Sequence, residues 1–179
     1  MRTQAMLITL AAALITTGCS DVLSLNPAVA PADAVTDPAL AGLWMDEDGG
    51  DLCTISQQAD NTYQVVYRPN GDSAAMKFQG LLLRAGQVEI LDLVPKDGAP
   101  FQIPAHFFVR VWAGSKTLQW AILDSDWFQL QIKNEQLATQ TLAGSPVISA
   151  QPSAIRDFLA NYGTNDKAYN KSETLLRVK

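Results

Sequence analysis

The stretch from Leu52 to Gly71 reads LCTISQQADNTYQVVYRPNG, and its pattern indicates the fold of the chain. Two short segments, Leu52–Ser56 and Thr62–Tyr67, are rich in the β-branched and aromatic residues that favour strands. Asp60-Asn61 separates them and Asn70-Gly71 follows the second, and such residues tolerate the positive φ of tight hairpin turns. The stretch therefore predicts two antiparallel strands joined by a short turn, with another hairpin directly after them.

The same alternation of short strands and turns extends from Leu40 to about Ile132. The further predicted strands are Ala41–Met45, Ala74–Leu83, Val88–Leu93, His106–Trp112, Thr117–Leu123 and Trp127–Ile132. Strands that follow one another across single turns are typical of an antiparallel meander, and closure of a meander removes its exposed edges. We predict a mainly β protein, in which a meander of about eight strands closes into a barrel. A half-open barrel and a β-sandwich are the alternatives.

The last part of the chain changes its period. Ile155, Phe158, Leu159 and Tyr162 follow one another at helical spacing and form one apolar stripe. Pro152 suits the first turn of a helix, and Gly163 suits its end. A strand over 174–178 is the last predicted element. The sequence predicts one C-terminal helix and a short returning strand.

The N-terminus carries an export signal. Arg2 precedes an apolar run, Met6–Ile15, that is too short to anchor the chain across a bilayer. Leu14–Ser20 reads LITTGCS and resembles the lipobox of bacterial lipoproteins, which implies cleavage before Cys19 and lipidation of its thiol. The alternative is an ordinary secretory signal with an incidental cysteine. We expect a signal peptide over 1–18, a lipidated Cys19 with a flexible tether over 19–36, and one β-barrel domain over 37–179.

Charge and cysteine content restrict the partners. The formal net charge is −5, which argues against a nucleic-acid partner. With Cys19 acylated, Cys53 has no disulfide partner and is expected to be a small buried residue. Ser20 after the lipidated cysteine resembles the pattern of outer-membrane lipoproteins. This resemblance implies a cell-envelope protein, anchored in the outer membrane through Cys19, with its domain facing the periplasm.

The first predicted barrel strand carries a motif of its own. Gly42-Leu43-Trp44 resembles the Gly-x-Trp signature of lipocalins, and Leu123–Trp127 is loosely similar to a second motif of that family. The resemblance implies an eight-stranded, lipocalin-like barrel whose closed end is plugged by Trp44, with Gly42 in a structural role. The family's arginine on this tryptophan has no counterpart at 140–142, and Arg177 or Arg110 is a candidate substitute.

Aromatic residues give the best indication of binding. Trp112 and Trp120 flank one short hairpin and are candidate cross-strand neighbours. Inside the barrel they would line a cavity together with Phe108 and Arg110, outside they would form an adhesive patch, and plain core packing is the third interpretation. We take Trp112, Trp120, Phe108 and Arg110 as the candidate ligand-binding residues.

Catalytic and metal-binding patterns are weak. His106 is the single histidine, and its strand position suggests a hydrogen-bonded structural or surface role rather than catalysis. Asp46, Asp48 and Asp51 resemble part of a calcium loop but lack its closing glutamate, so a turn is the preferred interpretation. Asp92 interrupts an apolar strand; if it points inward it needs a partner, which Arg110 or Arg68 could supply. We predict no catalytic residue, no metal and no cofactor.

These observations favour a non-enzymatic binding module for a small hydrophobic or amphipathic ligand. An envelope protein that binds another protein, or has a structural role there, is the second hypothesis, and an enzyme is the third. A cavity lined by Trp and Phe would favour the first hypothesis, and a filled barrel with an apolar outer patch would favour the second.

Overall fold

The computed structural model describes residues 22–70, 74–96, 104–135, 137–142 and 145–178. The predicted signal peptide, Cys19, Gly71 of the Asn70-Gly71 turn and the Asp97-Gly98 loop lie outside these ranges. No helix in the described ranges is long and apolar enough to cross a membrane.

Eleven strands and two α-helices make up the described chain. The strands are β1 (Leu23–Ser24), β2 (Gly42–Met45), β3 (Leu52–Gln57), β4 (Tyr63–Arg68), β5 (Met76–Ala85), β6 (Val88–Pro95), β7 (His106–Ala113), β8 (Thr117–Ile122), β9 (Thr139–Leu142), β10 (Ser145–Ile148) and β11 (Glu173–Arg177). The helices are α1 (Ser125–Glu135) and α2 (Pro152–Tyr162), and short 3-10 turns cover Pro31–Asp33 and Asp166–Ala168.

Eight of the strands form a closed antiparallel barrel. β2 to β8 follow one another as hairpins, and β11 closes the circle because it pairs with both β8 and β2. This confirms the predicted meander of about eight strands and its closure. Beyond the end of β8, the free edge of β7 pairs with β1, and β10 and β9 extend this part of the sheet outside the barrel.

Alternation along the strands separates two hydrophobic cores. Cross-strand partners share a face of the sheet, so the register shows which side chains point inward. The inner core fills the barrel, and its buried members are Leu40, Trp44, Cys53, Ile55, Tyr63, Val65, Leu82, Leu91, Leu93, Val109, Val111, Leu118 and Leu175. The outer core lies between the opposite face of the sheet and the helices, and it includes Ile90, Phe108, Phe128, Ile155 and Phe158.

The predicted strand over Trp127–Ile132 is wrong, because these residues belong to α1. Asp124 determines the outcome: its Oδ1 accepts a hydrogen bond of 2.7 Å from the backbone N–H of Trp127. This is the bond by which an aspartate caps a helix start, so the segment after Leu123 begins a helix instead of a further strand. The apolar stripe of α2 and its end at Gly163 are confirmed. Both helices precede the last barrel strand, whereas a single helix had been expected.

The flexible tether is wrong for residues 22–36, which we call the N-terminal strap. Leu23 pairs with Phe107 on β7, and Ala28 and Val29 are buried in or beside the outer core. The backbone N–H of Val35 donates to the carbonyl of Leu82 at 2.9 Å. A segment rich in Ala, Val and Pro reads as a linker, but its small apolar residues fit closely against the barrel wall.

Candidate functional site

One end of the barrel is plugged. The Trp44 side chain is fully buried, and its Nε1 donates to the carbonyl of Leu40 at 3.0 Å. The Arg177 guanidinium stacks 4.1 Å from the centre of the Trp44 ring and donates to the carbonyls of Ala39 and Ala41 at 2.7 and 2.8 Å. Of the two arginines named as candidates for the tryptophan, Arg177 is the one in contact with it.

Gly42 makes this plug possible. A Cβ atom at this position would lie 2.4 Å from Nη1 of Arg177, and the backbone has a φ of +157°. The two residues of the Gly-x-Trp pattern that were assigned structural roles therefore lie together under one arginine.

The opposite end of the barrel is lined by partly exposed apolar side chains that face inward. They pack on top of the inner core, and we call this set the aromatic mouth: Tyr67, Phe78, Phe107, Trp120 and Ile122. The buried side chains of the inner core lie below them, so the aromatic mouth is a partly exposed apolar surface on top of that core.

Ring contacts across the lumen hold the aromatic mouth in place. Tyr67 on β4 and Trp120 on β8 are not on neighbouring strands, yet their ring centres lie 6.4 Å apart in an edge-on arrangement. Phe78 and Phe107 make a second edge-on contact at 5.3 Å across β6. These contacts orient rings whose other surfaces remain open to solvent.

Two carboxylates occupy one side of this end. Asp51 precedes β3, and its Oδ2 accepts a hydrogen bond of 2.5 Å from Tyr67 Oη, while its Oδ1 accepts one of 2.7 Å from the backbone N–H of Asn70. Glu173, at the start of β11, lies directly opposite Trp120. Partial burial, and next the charge of Asp51, raise the pKa of Glu173. Burial and the Asp51 hydrogen bond raise the pKa of Tyr67.

The four residues predicted as a ligand site do not lie together. Trp120 faces inward and belongs to the aromatic mouth, whereas Phe108, Arg110 and Trp112 face outward. Phe108 is buried in the outer core. Trp112 pairs with Gln119, not with Trp120, in the β7–β8 register. The prediction of one cluster fails because residues 112 and 120 have opposite orientations in the sheet.

Arg110 has a structural environment on the outer face. Its guanidinium lies 4.1 Å from the centre of the Trp112 ring and 5.3 Å from that of Tyr169. Its Nη1 donates to Asp166 Oδ1 at 3.0 Å, and the Asp166 side chain is 92 % exposed. Burial raises the pKa of Tyr169 to about 12. The buried arginine thus joins β7 to the turn that precedes β11.

Asp92 pairs with His106, and not with Arg110 or Arg68 as predicted. Its Oδ1 lies 2.6 Å from His106 Nδ1, and its Oδ2 accepts a hydrogen bond of 2.7 Å from the backbone N–H of Ala28. The Asp92 side chain is buried under the N-terminal strap. His106 is therefore hydrogen-bonded to a buried carboxylate.

Two carboxylates of the acidic β2–β3 turn, those of Asp46 and Asp51, accept hydrogen bonds from the protein. Asp46 Oδ1 accepts from the backbone N–H of Gly50 at 2.6 Å, as in a turn, and Asp51 is engaged as described above. Within the described ranges, no group of three or more His, Cys, Asp or Glu side chains is arranged to hold a metal ion.

The plugged end of the barrel carries a concave surface of its own. It is an open groove of about 500 Å³ between the β5–β6 and β7–β8 turns, and Trp112 forms part of its wall. Arg84 and Glu89 form an ion pair of 2.5 Å in the same groove. The groove is lined by both polar and apolar residues and is open to solvent, whereas the side chains that form the aromatic mouth are apolar or aromatic.

Sequence reasoning missed Tyr67, Phe78, Phe107, Asp51 and Glu173 as neighbours. A signal for them was present, because alternation places each on the same face as a buried inner residue of its own strand. Which inner residues share one end of a barrel depends on the stagger between strands, and turn patterns alone do not give that stagger.

Comparisons with known proteins add no relative on which the site can be aligned. No protein-family model, no curated protein sequence and no solved structure matches this chain.

Proposed function

We propose that this protein binds a small amphipathic ligand at the aromatic mouth, without catalysing a reaction on it. The observation that carries the proposal is the contrast between the two barrel ends. Arg177 and Trp44 plug one end, whereas inward-facing aromatic side chains stay partly exposed at the other. Partly exposed inward rings at the open end suit a ligand that lies across the opening with its apolar part on the rings.

Native mass spectrometry tests this proposal. The Cys19→Ala protein is purified from its own host without detergent, and we expect extra mass that disappears on denaturation. Trp120→Phe and Phe107→Ala are expected to lower the occupied fraction. Trp112→Phe is the matched control, because Trp112 faces outward, and it should leave the occupied fraction unchanged. Equal loss in the Trp112 and Trp120 variants would contradict binding at the aromatic mouth.

We also propose that the domain is held at the outer membrane through lipidated Cys19, facing the periplasm. The LITTGCS stretch supports this proposal. Cys19→Ala should move the protein from the membrane fraction to the soluble fraction and abolish labelling with a radioactive fatty acid. Cys53→Ala removes the other cysteine, which is buried inside the barrel, and should change neither. Continued membrane retention of the Cys19 variant would contradict the anchor.

A second candidate function, binding of an envelope protein, rests on β9. This strand is the last in the sheet order, is mostly exposed, and ends at Leu142, which is 43 % exposed. Edge strands of this kind accept a strand from a partner. If that is the function, Leu142→Lys should abolish cross-linking of this protein to a discrete partner in cell envelopes, and Leu176→Lys should not.

A further inference from the structure

The aromatic mouth is chemically asymmetric. Asp51 directly precedes β3 and Glu173 begins β11, the two strands that flank β2, and both residues are on the inward face, since each alternates with a buried inner residue, Cys53 or Leu175. Phe78 and Phe107 lie on β5 and β7, on the other side of the opening. Among the described residues that form the site, one side is therefore acidic and the other is apolar.

In the part of the chain that the structure describes, no basic side chain forms an ion pair with the acidic side. Among the described residues, no ion pair involves Asp51 or Glu173. Asp51 is held in place by hydrogen bonds from Tyr67 and Asn70, which leave its negative charge intact. Lys171 is the nearest cation along the chain, two residues before Glu173, and its side chain is exposed.

Aromatic faces and carboxylates occur together at this point. Tyr67 donates to Asp51, Glu173 is the cross-strand partner of Trp120, and the Tyr67 and Trp120 rings touch each other. A cation placed between the two carboxylates would gain both ionic attraction and contact with electron-rich rings. An anionic group in the same position would face two negative charges.

We propose that the ligand of the aromatic mouth is a cationic amphiphile. Its positive group contacts Asp51, Glu173 and the Trp120–Tyr67 pair, and its apolar part lies on Phe78, Phe107 and Ile122. This inference rests on the proposed function, because it names the chemical class of ligand that the same site takes.

Three probes with one tail test the inference: dodecyltrimethylammonium, dodecyl maltoside and dodecyl sulfate, each below its critical micelle concentration. Binding to the Cys19→Ala protein is followed by calorimetry. We expect the cationic probe to bind roughly tenfold more tightly than the neutral one, because the ionic and cation–π contributions together amount to about 1–2 kcal/mol. The anionic probe should bind most weakly. Added salt should reduce the preference for the cation.

Glu173→Gln keeps the shape of the side chain and removes its charge, and we expect it to lower affinity for the cationic probe severalfold while leaving the neutral probe unchanged. Asp157→Asn, an exposed acid on α2, is the control and should change neither affinity.

Equal binding of all three probes, or a cation preference that survives both added salt and Glu173→Gln, would overturn the inference and leave the proposed function standing. Failure of all three probes to bind would overturn both. The salt series uses the unaltered site, so it decides the matter even if the Glu173 variant is unstable.

Discussion

Arg177 connects three segments that are far apart in the sequence. It stacks on Trp44 from the last barrel strand, bonds to carbonyls before the first, and donates through Nε to the carbonyl of Ser115 at 2.9 Å in the β7–β8 turn. A planar guanidinium suits this role, because it stacks and donates in its plane at the same time. The arginine therefore joins the first and last strands of the barrel at the point where the barrel closes.

We predict that Arg177→Ala lowers the free energy of unfolding by about 2 kcal/mol, through loss of the ring contact and of charged hydrogen bonds. Urea denaturation measures the change. Arg156→Ala, on the exposed face of α2, is the control and should stay within about 0.5 kcal/mol of the parent. Equal effects of the two substitutions would show that the plug does not stabilise the barrel.

The Asp92 carboxylate accepts a hydrogen bond from the N-terminal strap and so attaches the strap to β6. We predict that Asp92→Ala destabilises the protein by about 2–3 kcal/mol, because the Ala28 N–H and His106 lose their buried acceptor. Amide hydrogen exchange should rise most in residues 22–36. Asp157→Ala, a surface substitution, should leave that exchange pattern unchanged. Uniform acceleration over the whole barrel would contradict a local role for Asp92.

At the scale of elements, the sequence predicts the barrel strands and α2 better than α1. Strand alternation and the helical stripe of Ile155, Phe158 and Leu159 are local patterns, and they were sufficient to predict the barrel strands and α2. In α1, Trp127, Phe128 and Ile132 also fit a strand, and only the Asp124 cap and the outer core select the helix. Short apolar runs remain ambiguous until tertiary packing is known.

Aromatic packing joins α2 to α1. Phe158 contacts Phe128 edge-on at 5.8 Å and Tyr162 at 5.0 Å, and it is buried, whereas Leu130 on α1 is 64 % exposed. We predict that Phe158→Ala costs about 3–5 kcal/mol, and that Leu130→Ala changes stability by less than about 0.5 kcal/mol. Thermal and urea unfolding of both variants test the helix packing, and similar losses at the two positions would contradict it.

At the scale of the whole molecule, the sequence predicts the closed barrel but not its candidate site. Closure follows from local patterns repeated around the sheet. The site depends on which inward residues reach the same end, and on contacts such as Tyr67 with Trp120 across the lumen. Tyr67 and Trp120 are 53 residues apart in the sequence. They meet because of the stagger between the barrel strands, and no local motif encodes this stagger. The Asp92–His106 pair was missed for a different reason: it depends on the register between the adjacent strands β6 and β7.

Two buried groups, Cys53 in the inner core and Tyr169 in the outer core, predict a loss of stability in alkali. Burial raises the pKa of Cys53 from 9.0 to about 12, and it raises that of Tyr169 from 10.0 to about 12. Between about pH 9 and pH 12 the unfolded chain ionises while the folded chain keeps its protons, so the folded state binds more protons and stability falls as pH rises. Below that window neither group affects the pH dependence.

Urea unfolding at a series of pH values tests this. The free energy of unfolding of the parent should fall more steeply above about pH 9 than that of Cys53→Ala, by at most about 1.4 kcal/mol per pH unit. A thiol reagent should modify Cys53 only after unfolding. Parallel pH profiles of the two proteins, or rapid modification of the folded chain, would show that the thiol is not sealed in the barrel.

The pairing of Leu23 with Phe107 has a consequence for how a ligand arrives. Cys19 precedes Leu23 by four residues, a distance of at most ~14 Å when extended. If Cys19 is lipidated as proposed, this short connection to the strap, which is paired with β7, would keep the aromatic mouth close to the lipid–water boundary. An amphiphile leaving the bilayer would then reach the barrel by lateral diffusion in two dimensions, and its arrival rate would depend on its surface density in the membrane rather than on its aqueous concentration.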